Sequence, residues 1–378
     1  MDPWTALLHE PPLTPHREVV PPIYQNSLFT FESVEAFETA IQTGDRHVYT
    51  RGTNPTVRLF EEKIAALEGA EDAVAFASGM GAIAAAVLSV LEAGDTLVVA
   101  TPVYTNAHNF FTRILSRFGV RVVFVPGRDT PAVLEALKGA RALYMESPAF
   151  FTLEVLDLEP LVAAAREAGA VTLLDSTWNA GYALNPHAWG VDLVVHSATK
   201  YFSGHADVVA GVVTGAKAPI ARIRRREYAL LGATLSPMHA WLLLRGLRTL
   251  RVRLKAHEEG ALKVARFLEA HPKVRRVHHP LLPSHPQHAL AKKYLKGASG
   301  LFTIELESEA AARAFCNALE LFKIGVSWGG FESLVFPACC TPLLTQTYGI
   351  SPGAVRLHVG LEPPEALIAD LEQALARL

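Results

Sequence analysis

Lys200 ends the segment Ser197-Ala198-Thr199-Lys200, directly after the apolar run 193–196, which carries no other charge. A lysine near a strand end in a desolvated cleft loses its proton more easily than a solvated one. It can then form a Schiff base with a carbonyl compound. Asp175 closes a second apolar run, 171–174. A carboxylate placed there can hold a pyridinium nitrogen protonated. Ser197 and Thr199 carry hydroxyls that can donate to a phosphate. The turn Ser78-Gly79-Met80-Gly81 follows an apolar run and opens a helical pattern. Its glycines let backbone N–H groups at a helix N-terminus approach the same phosphate. A lysine, an aspartate and a phosphate cradle, all at strand ends of one sheet, describe a site for pyridoxal 5′-phosphate.

Two other readings of these segments fail. Gly79-Met80-Gly81-Ala82-Ile83-Ala84 fits a variant of the dinucleotide fingerprint, which also needs an acid at the end of the next strand. That strand ends Ala100-Thr101-Pro102, and Asp95 lies before it. Ser197-Ala198-Thr199-Lys200 fits the S-x-x-K nucleophile motif, but the S-D-N and K-T-G elements that accompany it are absent from the sequence.

The elements that must position these groups alternate along the chain. Apolar runs of strand length lie at 73–77, 96–100, 120–125, 142–145, 171–174, 193–196 and 208–213. Helical patterns at 81–91, 106–118, 131–138 and 159–168 separate most of them. Fully apolar strands alternating with helices predict an α/β fold, a mainly parallel sheet covered on both faces, with ligands at the carboxyl ends of its strands. Before this lies a helix over 57–68, stopped by Gly69. The first 50 residues, with Pro11, Pro12, Pro15, Pro21 and Pro22, read as an extended arm that lies on a neighbouring subunit. The cofactor-binding part spans 51–240. The stretch 237–270 reads as a long connecting helix that leads into a smaller α+β part, 241–378. Its strands lie near 300–307 and 355–359, and its helices at 309–319 and 364–378.

The composition excludes several functions. The 35 basic and 37 acidic residues leave a net charge of −2, so no global field attracts nucleic acid or acidic membranes. Half of the residues are hydrophobic, which suits a large core. Three cysteines exclude a disulfide scaffold and fit a reducing compartment. The first residues lack the pattern of a signal peptide, and no apolar run reaches the length of a membrane span. The expectation is a cytoplasmic enzyme.

The chain resembles the Cys/Met-metabolism family of pyridoxal-phosphate enzymes, from about Tyr24 to the C-terminus. The segments that carry the resemblance include Tyr49-Thr50-Arg51, Ser78-Gly79-Met80, Pro102-Val103-Tyr104, Glu146-Ser147-Pro148 and Asp175-Ser176-Thr177-Trp178. Others are His196-Ser197-Ala198-Thr199-Lys200-Tyr201, Ser327-Trp328-Gly329-Gly330 and Val355-Arg356-Leu357-His358. The resemblance implies pyridoxal-phosphate fold type I, the aspartate-aminotransferase-like architecture, and a homotetramer built from two tight dimers. It implies that Tyr49 and Arg51 reach the cofactor phosphate of the neighbouring subunit and that Gly79, Met80, Ser197 and Thr199 hold the phosphate in their own. It places Tyr104 on the face of the cofactor ring. Lys200, Tyr104 and Asp175 are the catalytic set. The substrate is a small amino acid, bound by Ser327, Trp328 and Arg356, whose guanidinium takes the α-carboxylate with two hydrogen bonds.

Within the family, the chain is most similar to the bacterial cystathionine β-lyases. Trp328 follows Ser327, His358 stands where most members have Ser, and Ala149-Phe150-Phe151 replaces the usual Thr-Asn-Pro. The implied reaction is β-elimination of L-cystathionine to homocysteine, pyruvate and ammonia, with cysteine desulfhydration as a further activity. The alternative is a cystathionine γ-lyase, a γ-synthase or a methionine γ-lyase. Val326 offers neither the Glu of the cystathionine γ-enzymes nor the Tyr of the β-lyases. Asn106 stands where a methionine γ-lyase would have Cys.

Three further clusters carry less. His278, His279, His285 and His288, spaced by prolines, read as an irregular surface loop rather than a metal site, and no metal is expected. Arg222, Arg224, Arg225 and Arg226 read as a solvated helix face or subunit contact. Cys339-Cys340 reads as two free thiols, because adjacent cysteines strain a disulfide.

Overall fold

The computed structural model describes residues 2–9 and 13–378. Its large sheet has seven strands: β1 (Asp72–Phe76), β2 (Thr96–Thr101), β3 (Arg121–Pro126), β4 (Ala142–Glu146), β5 (Val171–Asp175), β6 (Leu193–His196) and β7 (Gly211–Gly215). They lie in the order β1-β7-β6-β5-β4-β2-β3. The five strands from β6 to β3 run parallel, and β7 is antiparallel to both β6 and β1. This is the α/β, mainly parallel architecture of fold type I. The central strands are continuous apolar runs because helices cover both faces and leave no wet side to alternate toward. One apolar cluster packs the helix Pro55–Glu68 on one face, and a second packs the helices Gly79–Leu88 and Thr105–Arg113 on the other. In the pairing of β4 with β5, Glu146 stands directly beside Asp175. The sheet thus ends in two adjacent carboxylates.

A second sheet has five strands: β8 (Arg276–His278), β9 (Leu301–Glu305), β10 (Lys323–Ile324), β11 (Leu334–Pro337) and β12 (Ala354–His358), in the order β10-β11-β12-β9-β8. All its pairs are antiparallel except β10 with β11. The helices Leu250–Ala270, Glu309–Ala318 and Pro364–Ala376 cover one face around a cluster of their own.

Several expectations shift. The arm is not extended throughout. Val34–Thr43 forms a helix, with the Ser33 hydroxyl accepting from the Ala36 N–H at 3.1 Å and Gly44 closing it at φ 69°. Pro11 and Pro12 lie outside the described residues, while Pro15, Pro21 and Pro22 stand in irregular chain. The strand expected over 208–213 is β7, Gly211–Gly215. It starts late because the Thr199 hydroxyl occupies both backbone groups of Ala210, donating to the carbonyl and accepting from the N–H at 3.0 Å each. The long connector is two helices, Pro237–Arg248 and Leu250–Ala270, broken at Thr249.

The histidine segment is not a surface loop. His279 and His285 are buried, and His278 pairs with Glu305 at 2.6 Å. Burial pushes His279 down to about 3 and His285 to about 4, so both are neutral. No group of three metal-ligating side chains forms among the described residues. Arg224 pairs with buried Glu61 at 2.9 Å, and Arg222 donates to the Ser89 carbonyl at 2.9 Å, so half of the arginine cluster is structural. Cys316, Cys339 and Cys340 are free thiols. No helix among the described residues is long and apolar enough to cross a membrane.

Candidate active site

At the carboxyl ends of β4, β5 and β6 a cavity of about 450 Å³ opens toward the small sheet. Ten of the twelve residues expected at the site line it: Gly79, Met80, Tyr104, Asp175, Ser197, Thr199, Lys200, Ser327, Trp328 and Arg356. Tyr49 and Arg51 do not. Arg51 instead donates to the Ala229 carbonyl at 2.7 Å and lies over the Tyr49 ring, 5.5 Å from its centroid.

The turn after β6 holds Lys200. Its ammonium donates to the Ser327 hydroxyl at 2.7 Å and sits over the Trp328 ring, 5.6 Å from the centroid. Burial, reinforced by the charge of Arg356, pushes Lys200 down to about 8. The expected desolvated lysine is therefore present, and the tertiary partner that helps to desolvate it, Trp328, comes from 128 residues downstream.

Asp175 ends β5 and is buried. Both contacts from Thr177, its backbone N–H at 3.0 Å and its hydroxyl, land on Oδ1. No described group donates to Oδ2, which is free to take a ring N–H. Burial raises the Asp175 carboxyl. Next to it, Glu146 accepts the Tyr104 N–H on one oxygen and the Phe150 N–H on the other, each at 2.7 Å. Burial first, and then the Asp175 charge, push Glu146 well above the usual carboxylate range.

The cradle is narrow. The helix Gly79–Leu88 starts at the cavity with Ser78 as its cap, the hydroxyl accepting from the Gly81 N–H at 3.0 Å. A Cβ at Gly79 would stand 2.9 Å from the Ser197 Cβ and Oγ. Only glycine keeps that space open, and the first N–H groups of the helix face it with the positive end of the helix dipole behind them. Ser197 keeps its hydroxyl uncommitted among the described residues. The Thr199 hydroxyl also lines the cavity and is within hydrogen-bond reach of both backbone groups of Ala210.

Tyr104 begins the helix Thr105–Arg113 and is partly exposed. Its backbone is fixed by Glu146, and its phenol oxygen accepts from the Asn106 side chain at 3.0 Å. The ring meets Phe150 edge to face, with centroids 5.9 Å apart. Arg356, on β12, is buried, and its guanidinium donates to the Val326 carbonyl at 2.8 Å. Burial lowers it to about 10.

His358 is a pocket-support residue. It is buried, burial holds its pKa well below the usual histidine value, and its Nε2 accepts the Gly329 N–H at 3.0 Å. It thereby fixes the loop that carries Ser327 and Trp328. In the sequence, Glu146 and Thr177 stand only within the segments that carry the resemblance, with no role attached. The pairing of β4 with β5 was the signal for Glu146, and it was not readable without register.

The residues fit pyridoxal 5′-phosphate: a glycine cradle, a lysine whose pKa burial lowers to about 8, and a buried carboxylate with one oxygen unused. Sequence comparison agrees over residues 5–376, which match the Cys/Met metabolism PLP-dependent enzymes. The chain belongs to this family. Among its relatives are the L-methionine γ-lyase of Pseudomonas putida, 41% identical over 94% of this chain and 92% of that protein, and the cystathionine β-lyase of Lactococcus lactis, 37% identical over 94% and 93%. The crystal structure of cystathionine γ-synthase from Xanthomonas oryzae superposes with a TM-score of 0.93 at 35% identity, covering 100% of this chain and 98% of that one. A Campylobacter jejuni protein described as an O-acetylhomoserine (thiol)-lyase superposes with a TM-score of 0.95 at 28% identity over all of both chains. It carries a pyridoxyl-lysine phosphate group.

This family member is a pyridoxal-phosphate enzyme of carbon–sulfur chemistry acting in Cys/Met metabolism. The expected closeness to cystathionine β-lyases in particular does not stand out. Methionine γ-lyases at 39–41% identity lie beside β-lyases at 37–39%.

Proposed function

We propose that the chain cleaves the γ-carbon–sulfur bond of an amino acid with an apolar sulfur side chain, the L-methionine class. Its products would be a thiol, 2-oxobutyrate and ammonia. The observation that carries this reading is the charge inventory of the cavity. Among the described residues of one subunit, its acids are Glu146, committed to two backbone amides, and Asp175, whose Oδ1 takes Thr177 and whose Oδ2 is left for the ring N–H. Among the same residues its cations are Lys200 and Arg356. L-Cystathionine brings a second ammonium and a second carboxylate, and no free charge answers either of them. An unpaired charge in such a cavity costs several kcal/mol. The remaining wall carries no charge: apolar Ile83, Val209, Val326 and Phe336 stand beside uncharged polar Thr105, Asn106 and Thr341. The 39–41% identity to methionine γ-lyases supports the same reading.

When bound, the cofactor supplies an electron sink for the charge that builds on the substrate α-carbon. The chain's own groups do the rest. Gly79 and Met80 hold the phosphate with backbone N–H groups, and Ser197 adds its hydroxyl. Asp175 Oδ2 keeps the ring nitrogen protonated. Tyr104 would stack on the cofactor ring, and Asn106, by donating to its oxygen, would leave the phenol proton for the departing sulfur. Lys200 would hold the cofactor and would serve as the base for the substrate α-proton, its amine held on line by Ser327. Arg356 takes the α-carboxylate. Tyr49 and Arg51 complete the neighbour's phosphate site in a homotetramer of two dimers. Exposed Val19, Val20, Leu28 and Ile41 on the arm support its lying on a partner.

The test supplies the purified holoenzyme with L-methionine and with L-cystathionine and identifies the keto acids. 2-Oxobutyrate and methanethiol from methionine are expected, with kcat/KM above that for cystathionine. Pyruvate with homocysteine as the faster outcome would replace this reading by β-elimination.

A further inference from the structure

Arg356 is a buried cation without an ion-pair partner among the described residues. Among the described residues no carboxylate lies within ion-pair distance of it, and the Val326 carbonyl is the one acceptor that takes its donors. A guanidinium left so in a protein interior needs compensation. Three aromatic rings supply it. The guanidinium carbon lies 5.2 Å from the centroid of Phe336, 5.9 Å from that of Phe150 and 6.0 Å from that of Phe151.

The box is assembled from both sheets. Phe336 is the direct cross-strand partner of Arg356, β11 against β12. Phe150 and Phe151 come from the loop after β4. Phe150 is anchored there by its N–H on Glu146, and Phe151 by its carbonyl, which accepts from the Thr303 hydroxyl at 2.6 Å. Thr303 is the neighbour of Arg356 on its other flank, in β9. Each ring face carries partial negative charge that attracts the cation without using up its N–H donors. A carboxylate partner would neutralise the guanidinium, but the aromatic faces leave its fork charged and open to the cavity.

We propose that Phe150, Phe151 and Phe336 form an aromatic box that positions Arg356 as a receptor for the substrate carboxylate. The role depends on the electrostatics of the ring faces and goes beyond filling space. It also ties the receptor on the small sheet to the cofactor-facing loop of the large sheet, since Phe150 packs on Tyr104 as well. The inference rests on Arg356 as the carboxylate receptor proposed above.

The test replaces Phe336 by mono-, di- and trifluorinated phenylalanine, which drains the ring face of negative charge step by step with little change in shape. Binding to the holoenzyme is measured by calorimetry with L-norleucine, which has the length of methionine and no sulfur to eliminate. n-Pentylamine, the same molecule without its carboxylate, is the control. The Kd for norleucine should rise along the series, by about five- to tenfold at the trifluoro ring, while that for pentylamine stays constant. A flat norleucine series, or a parallel rise for both ligands, would overturn the box. Arg356→Lys separates the two levels. If it leaves norleucine binding unchanged, the receptor assignment itself fails. If it weakens binding strongly while the fluorinated series stays flat, the receptor stands and the box does not. Neither arm depends on which carbon–sulfur bond the enzyme breaks.

Discussion

Lys200 should titrate near pH 8 in the cofactor-stripped protein. Burial under Trp328 and the charge of Arg356 move it from 10.5 to about 8. At pH 7 about one tenth of the population then holds the neutral amine that condenses with an aldehyde, against about one part in 3,000 for a lysine at 10.5. The advantage is roughly 300-fold. The assay is trace acetylation across pH 6–11, with the Lys200 peptide quantified by mass spectrometry against an internal amine standard. The same shift has a stability counterpart. Because the folded pKa lies below the unfolded one, the unfolded chain holds more protons between pH 8 and pH 10.5, and stability rises with pH across that window. Below pH 8 the buried ammonium costs at most about 3 kcal/mol. Lys200→Met should therefore be more stable than the stripped parent at pH 7, with the difference closing toward pH 10.5. Trp328→Ala admits water and should move the acetylation midpoint upward. A midpoint at 10 or above in the parent protein would refute the desolvation argument.

Three further outcomes follow from the geometry. Asp175→Asn loses the charge that keeps the ring nitrogen protonated, and kcat should fall by about 10²- to 10³-fold while cofactor affinity changes far less; comparable losses in both would contradict the role of Oδ2. Glu146→Gln keeps the size of the side chain but can accept only one of the two amides at Tyr104 and Phe150. It should destabilise the protein by about 1–3 kcal/mol, and an unchanged unfolding midpoint in urea would show that the clamp contributes nothing. Gly79→Ala sets a Cβ 2.9 Å from Ser197, so the cofactor Kd, measured by equilibrium dialysis, should rise about tenfold or more in a chain with an unchanged circular dichroism spectrum. Retention of full affinity would mean that the phosphate does not lie in this cradle.

The sequence by itself determined the strand–helix alternation, the placing of Asp175 and Lys200 at strand ends and the glycine turn at Gly79. These are local features: an apolar run fixes a buried strand, and a charged residue at its end marks where the strand leaves the core. Residue types at these spacings were enough for the cofactor. Tertiary structure decided what depends on register and on long-range contact. Glu146 became the neighbour of Asp175 only through the pairing of β4 with β5. Thr199 gained a partner that its own segment does not show, the backbone of Ala210 eleven residues on. The histidine segment became buried because the small sheet folds over it. Phe336 met Arg356 only across β11 and β12, and Phe150 reached both from the other sheet. None of these contacts is written in a window of neighbouring residues. Each arises because packing brings distant side chains into a space from which water is excluded, and there the lack of an ion partner, or the presence of a ring face, decides what a residue does.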